Sequence, residues 1–221
     1  MMRTEYTHQL EELRGSIVAM GSMVDKAVGR ATEAVTRQDV RAAQEVIVGD
    51  EAINAQRRGI EDLALRIIAT QAPMAGDLRS IAAALHISTD LERMGDHAAG
   101  IAKLVTESAG EPLLKPLVDL PRMAAIVRRM QADAITSFVA SDPDLARRTA
   151  EQDDEVDALY DQIYRELLTY MMADPGTINR ATHLLWTAHN YERIADRITN
   201  ICGRVIFAAT GSLEEINVSS R

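Results

Sequence analysis

The sequence predicts an all-α protein made of two tandem three-helix bundles, and three observations carry that prediction. Helix formers such as Ala, Leu, Arg and Glu dominate, while aromatics make up only 4% of 221 residues, too few for a sheet protein that leans on aromatic and β-branched side chains. Pro73, Pro112, Pro116, Pro121, Pro143 and Pro175 break the chain into long stretches in which apolar residues recur at spacings of three and four. The second half of the chain repeats the first.

The punctuation predicts helices at about 4–36, 40–71, 75–108, 117–140, 143–173 and 176–209. Asp39, Ser141 or Asp142, and Asp174 stand where N-caps belong, and Gly110 and Gly211 where the chain leaves a helix. The first helix carries the seam Leu10, Leu13, Ile17, Met20, Val24, Ala27, Ala31, Ala34. The second carries Val46, Ile53, Ile60, Ile67, and the third Leu78, Ile81, Leu85, Ser88. Such near-heptad seams suit shallow crossing angles in a bundle. A helix of roughly 30 residues spans about 45 Å, so the bundles are elongated.

The repeat is specific. At an offset of 103, Met20 falls on Met123, Ala31 on Ala134, Asp39 on Asp142, Asp50 on Asp153 and Ile60 on Ile163. Beyond Pro73 the offset is 100: Leu85 falls on Leu185, Glu92 on Glu192, Arg93 on Arg193, Asp96 on Asp196 and Ile101 on Ile201. Unrelated bundles share a hydrophobic period but not charged identities in one register. The expected units are 1–110 and 117–211, followed by a tail over 212–221.

Composition excludes several function classes. The net charge is −9, and the pairs Arg57–Arg58, Arg128–Arg129 and Arg147–Arg148 are scattered. Neither nucleic acid nor anionic lipid is an expected partner. Cys202 is the one cysteine, so no intrachain disulfide forms, and a buried small apolar residue is the expected role. Met1 to Leu10 lacks a signal-peptide core, and no apolar run reaches the length of a membrane span. A cytoplasmic location is expected.

The chemistry-bearing candidates are carboxylates that continue apolar columns. Leu78 and Leu85 step by seven to Glu92, and Ile178 and Leu185 step by seven to Glu192. Asp96 and Asp196 lie one helical turn further on the same faces. Ala43, Asp50, Arg57, Ala64 and Ala146, Asp153, Tyr160, Leu167 bring Asp50 and Asp153 to the seams of the neighbouring helices. Asn54 and Asp157 stand one turn later. A carboxylate in a core seam requires a partner. Two readings stay open: salt bridges with Arg93, Arg193, Arg57 or Arg79, and oxygen-rich metal sites for Mg, Mn, Ca, iron or Zn. A ferritin-type centre is not expected, because Glu-x-x-His does not recur. Glu5–His8 has the spacing without a counterpart, and His86, His97, His183 and His189 do not match their repeats.

The stretches Leu91–His97 (LERMGDH) and Tyr191–Ile201 (YERIADRITNI) resemble the paired signature of the PhoU family. So do Gly49–Asn54 (GDEAIN) with its repeat in Asp153–Asp157 (DDEVD), Pro73–Ile81 (PMAGDLRSI) and, less distinctively, Arg204–Gly211. The resemblance covers essentially the whole chain. It implies a cytoplasmic negative regulator of phosphate uptake and of the phosphate-starvation response. The implied partners are the ATPase subunit of the phosphate ABC transporter and a sensor histidine kinase, with membrane association through those partners only. A homodimer is expected. The resemblance also implies metal ligands: Glu92 and Asp96 closed by Asp50 in the first repeat, and Glu192, Asp196 and Asn200 with Asp153 and Asp157 in the second. Two departures stand out: Gly100 where the second repeat has Asn200, and Asp77 matched by Thr177.

Nothing in the sequence marks a nucleophile, a triad or a phosphate-cradling glycine loop. An adaptor is therefore the leading expectation. A carboxylate-bridged metalloenzyme and a metal-free structural bundle are the alternatives.

Overall fold

The computed structural model describes residues 2–212, with side chains from residue 5 onward. The tail expected over 212–221 thus lies, from residue 213, outside the described residues. The elements are α1 (Met2–Arg37), α2 (Val40–Gln71), α3 (Ala75–Glu107), α4 (Asp119–Ala140), α5 (Pro143–Ala150), α6 (Asp153–Ala173), a 3-10 turn at Pro175–Thr177, and α7 (Ile178–Thr210). Helices α1–α3 form one bundle and α4–α7 the other. Among the described residues there is no strand, and no helix is long and apolar enough to cross a membrane.

The caps show why the helices begin and end there. Asp39 accepts from the Ala42 N–H at 3.0 Å, and Asp142 accepts from Asp144 and Leu145 at 3.0 and 2.9 Å. Of the two alternatives at that junction, Asp142 is the cap. Ser141 instead ends α4 in the left-handed conformation, with φ 54°. Asp174 accepts from Gly176 N at 2.8 Å and caps the 3-10 turn, so α7 starts two residues later than expected. Gly211 ends α7 with φ +79°, a conformation glycine adopts without strain.

The helix expected over 143–173 is two helices. Glu151 and Gln152 form a turn, with short-range bonds from Gln152 N to Thr149 O (3.2 Å) and from Glu155 N to Gln152 O (3.1 Å). Asp153, Asp154 and Glu155 follow as the first turn of α6, where negative charge is favoured by the helix dipole. In the first repeat the same position, Asp50, lies inside an unbroken helix.

The long seams of α1 and α2 are the core: Leu13, Ile17, Met20, Val24, Ala31 and Ala34, with Val46, Ile53, Ile60 and Ile67, are all buried. One connected apolar cluster runs through both bundles, because the bundles lie flank to flank, with α1 against α4 and α3 against α7. The helices of each pair run antiparallel. Arg79, early in α3, donates to Ala208 O late in α7 at 3.5 Å, while His97 Nδ1, later in α3, lies 3.0 Å from Asn190 Oδ1. The reciprocal contact is Arg197 Nη1 to Asp90 Oδ1 at 3.8 Å. Residues 90 and 190, and 97 and 197, are equivalent under the repeat, so a local two-fold axis relates the bundles. Tyr191 is buried in the same interface, its hydroxyl 2.8 Å from Thr32 Oγ1 of α1. Burial pushes that phenol's pKa up.

Helix α4 begins at Asp119, whereas α1 extends back to Met2, so α4 lacks a counterpart to the first turns of α1. The linker and the first turn of α4 fill that space: Leu117 and Leu120 approach Ile163, Leu167 and Leu184, and Lys115 pairs with Glu166. This explains one departure between the repeats. Asp77 accepts from the Tyr6 hydroxyl at 2.8 Å, a residue of α1 that α4 cannot match. Thr177 is buried and bonds instead to the Tyr170 and Asp174 carbonyls.

Candidate carboxylate sites

The column expected on the core seam of α3 and α7 is the rim of an outer groove. Leu78 is 43% exposed and Ile178 45%, while Leu85 and Leu185 are partly buried. Glu92 and Glu192 therefore lie at one end of an open groove between α2 and α3, or between α6 and α7. The two ends differ in depth. Glu192 and Asp153 are buried, whereas Glu92 and Asp50 are intermediate and Asp96 is exposed.

In the first repeat Asn54 Nδ2 donates to Asp50 Oδ2 at 3.1 Å, and Asp50 Oδ1 is buried without a hydrogen bond. Burial and then the nearby Asp96 charge push the Asp50 carboxyl above its usual range, against the Asn54 bond that lowers it. Gly95 makes this approach possible. A Cβ there would lie 3.0 Å from Ile53 Cδ1 and 3.1 Å from Asp50 Oδ1. Arg57 Nε is 3.8 Å from Glu92, Arg93 Nε 3.7 Å from Glu92, and Arg93 Nη1 3.6 Å from Asp96. Arg79, the other expected partner, is turned to the end of α7 instead.

In the second repeat Arg193 is held more tightly. Its Nε donates to Glu192 at 2.6 Å in a bidentate pair, and its Nη1 is 3.0 Å from Asp196. Hydrogen bonding to Glu192 raises the Arg193 pKa, and the charges of Asp196 and Asp157 add to it. His189 Nδ1 lies 3.4 Å from Glu192 and stacks in tilted and edge-on geometry with Tyr160 and Trp186.

Asn200 is exposed and faces Asp90 across the α3–α7 interface, where it favours the charged carboxylate. Its counterpart Gly100 is held small by the same interface, since a Cβ there would meet Asn190 Oδ1 at 3.1 Å. The departure at this position thus follows from the crossing of α3 and α7.

The oxygen donors suit a hard cation, and the hydrogen-bond-free Asp50 Oδ1 points to one. In this arrangement, however, no group of three or more His, Cys, Asp or Glu side chains converges among the described residues. Guanidinium groups sit against the acids, so a cation enters only where Arg93 or Arg193 swings aside.

Sequence reasoning missed Asp90. It is mostly buried between α3 and α7, and burial raises its pKa to about 6 despite Arg197, Arg204 and Asn200. Its signal was the polar pair 90 and 190 placed beside buried Leu91 and Tyr191. Cys202 is buried and its thiol is pushed up to about 12, the behaviour of core filler. Glu5 and His8 lie exposed on α1.

The family model for the PhoU domain matches residues 17–105 and again 120–205. The chain belongs to the PhoU family. It is 43% identical to a phosphate-specific transport system accessory protein PhoU homolog of Aquifex aeolicus, covering 93% of each chain. It is 37% identical to the homolog of Clostridium acetobutylicum, covering 98% of this chain and all of that one. Among solved structures, PhoU from Pseudomonas aeruginosa superposes with a TM-score of 0.89 at 35% identity, covering 94% of this chain and 100% of that one. The regulatory protein PhoU from Streptococcus pneumoniae also gives 0.89, at 32% identity, covering 95% and 99%. This PhoU-family chain is an accessory and regulatory protein of phosphate transport. Its relatives are named as such and not as enzymes, so the metalloenzyme alternative is not favoured.

Proposed function

We propose that this PhoU-family protein is a cytoplasmic negative regulator that acts by binding. It links the ATPase subunit of a phosphate ABC transporter to a sensor histidine kinase and damps the phosphate-starvation response when phosphate is plentiful. The observation that carries this reading is the full-length likeness to phosphate-transport accessory proteins over both repeats. The acidic surface and the open helical grooves fit a protein that works through contacts. It reaches membranes through its partners and assembles as a homodimer.

Each repeat binds a metal ion as part of that role. Asp50, Glu92 and Asp96 hold it in the first repeat. Asp153, Asp157, Glu192 and Asp196 hold it in the second, where Asn200 stands one turn beyond Asp196 and also serves the α3–α7 interface. The candidates are Mg, Mn, Ca, Zn or iron, and the bound ion supplies a fixed positive charge to the acidic end of each groove. The support is the oxygen donor set, its repetition, and the buried Asp50 Oδ1.

The deciding experiment is deletion of the gene. Phosphate-starvation genes are expected to switch on in phosphate-rich medium and to be silenced again by the wild-type gene. Normal repression in a strain lacking every PhoU-family copy overturns the regulatory role. Elemental analysis of protein purified without chelator or added metal tests the ions, and Glu92→Ala with Asp96→Ala is expected to remove the metal of the first repeat alone. An unchanged metal-to-protein ratio refutes it.

A further inference from the structure

The two outer grooves share a frame but not a lining. In the first repeat the positions midway along α2 are Arg57 and Glu61, which form an ion pair at 3.0 Å. The equivalent positions on α6 are Tyr160 and Tyr164. Tyr160, Tyr164 and Leu168 recur every four residues and so share one face of α6. Tyr164 is 42% exposed and Leu168 36%. Across the groove, His189 of α7 stacks on Tyr160 and on Trp186, which is 52% exposed. Leu185 and Ile178 continue the apolar lining toward the α6–α7 turn. The linker lies against these helices at Ile163, Glu166, Leu167, His183 and Leu184, not at Tyr164, Leu168 or Trp186, which stay exposed.

Exposed aromatic side chains gathered on one face mark a recognition surface, because Trp and Tyr bury much area at little entropic cost. The groove also has a polarity. One end is apolar. The other carries Asp157, Glu192 and Asp196 with exposed Asp154 and Asp161 beside them, and Arg193 already shows that this end holds a guanidinium. A groove between two antiparallel helices takes a third helix by bundle packing, and this one is apolar along its length with negative charge at one end.

We infer that the outer α6–α7 groove docks an amphipathic helix of a partner protein, its apolar face on Tyr160, Tyr164, Leu168 and Trp186 and its Lys/Arg-bearing end on the exposed Asp154 and Asp161. Charge complementarity selects that occupant. A second copy of this chain brings the same acidic end, and an anionic membrane is repelled by it and by the net charge of −9. The inference rests on the reading of the chain as a binding protein and needs no metal.

Trp186 is the single tryptophan and reports on the groove directly. The full-length protein is titrated with a synthetic amphipathic peptide of about four helical turns carrying arginines at one end. The same peptide with glutamates at that end, a scrambled peptide, and vesicles of phosphatidylglycerol serve as separate arms, each in EDTA and in magnesium. A saturable blue shift of Trp186 emission is expected with the arginine peptide in both media and with none of the others. Tyr164→Glu with Leu168→Glu is expected to weaken binding by about tenfold or more, while Leu65→Glu in the first groove leaves it unchanged. No shift with the arginine peptide, an equal shift with the scrambled one, or a shift driven by vesicles or by protein concentration alone overturns the docking site. In the deletion strain, the Tyr164→Glu, Leu168→Glu protein is expected to lose repression while keeping wild-type metal content and melting temperature. Full repression by that variant overturns the groove and leaves the regulatory role standing. Failure of the wild-type gene in the same strain overturns the regulatory role itself.

Discussion

Asp25 of α1 and Arg128 of α4 are joined by two hydrogen bonds of 2.7 and 2.8 Å, and they are the same position of the repeat. An offset of 103 carries one onto the other, so the local two-fold axis passes between them. In a symmetric pair this site would face its own like charge. Here one copy is an acid and the other a base. The side chains are 37% and 45% exposed, which limits the pair to about 1 kcal/mol or less. Arg128→Glu is expected to destabilise by more than Arg128→Ala, because it restores like charges at the axis. Asp25→Arg combined with Arg128→Asp is expected to recover most of the loss. A double-mutant cycle by urea unfolding checks it.

Asp90 gives the protein a pH dependence of defined sign. Its folded pKa, about 6, lies above the ordinary carboxylate value of 3.8. The folded state therefore binds the proton more tightly, and Asp90's contribution is most favourable below pH 4 and is lost as pH rises through 6. Asp90→Asn removes the ionisation. It is expected to match wild type near pH 4 and to exceed its stability by about 2–3 kcal/mol at pH 8. Unfolding curves across that range, showing a constant difference, would refute the assignment.

At Gly95, α3 leaves no room for a side chain beside Asp50 and Ile53. The equivalent of Gly95 in the second repeat is Ala195, a fully buried residue of α7. Gly95→Val is expected to cost about 1–3 kcal/mol by overpacking and to displace the Asp50 carboxylate. Ala195→Gly is expected to cost about 1–2 kcal/mol, from helix propensity and the loss of a buried methyl. Thermal unfolding of the two variants separates these effects.

Arg193 occupies the acidic end of the second groove through Glu192 and Asp196. A cation binding there competes with it. Arg193→Gln is expected to tighten manganese or zinc binding in the second repeat by about tenfold or more, equivalent to about 1.4 kcal/mol, and to leave the first repeat unaffected. Titration calorimetry on the full chain measures both. Equal affinities for wild type and variant would show that the arginine does not contest the site.

The hydrophobic period, the prolines and the capping acids determined the helices, since each depends on residues near in sequence. Val46, Ile53, Ile60 and Ile67 are buried, and Asp39 and Asp142 cap as expected. The duplication and the motif residues determined the family for the same reason: they are statements about order along the chain. What faces what was decided by tertiary structure. A step of seven places Leu78, Leu85 and Glu92 on one face, but that face is core or groove only according to where the neighbouring helix lies, and here it is groove. The charge on Asp90 and the small residue at Gly100 are likewise set by contacts between helices about one hundred residues apart in sequence, whose energies depend on burial and distance in space.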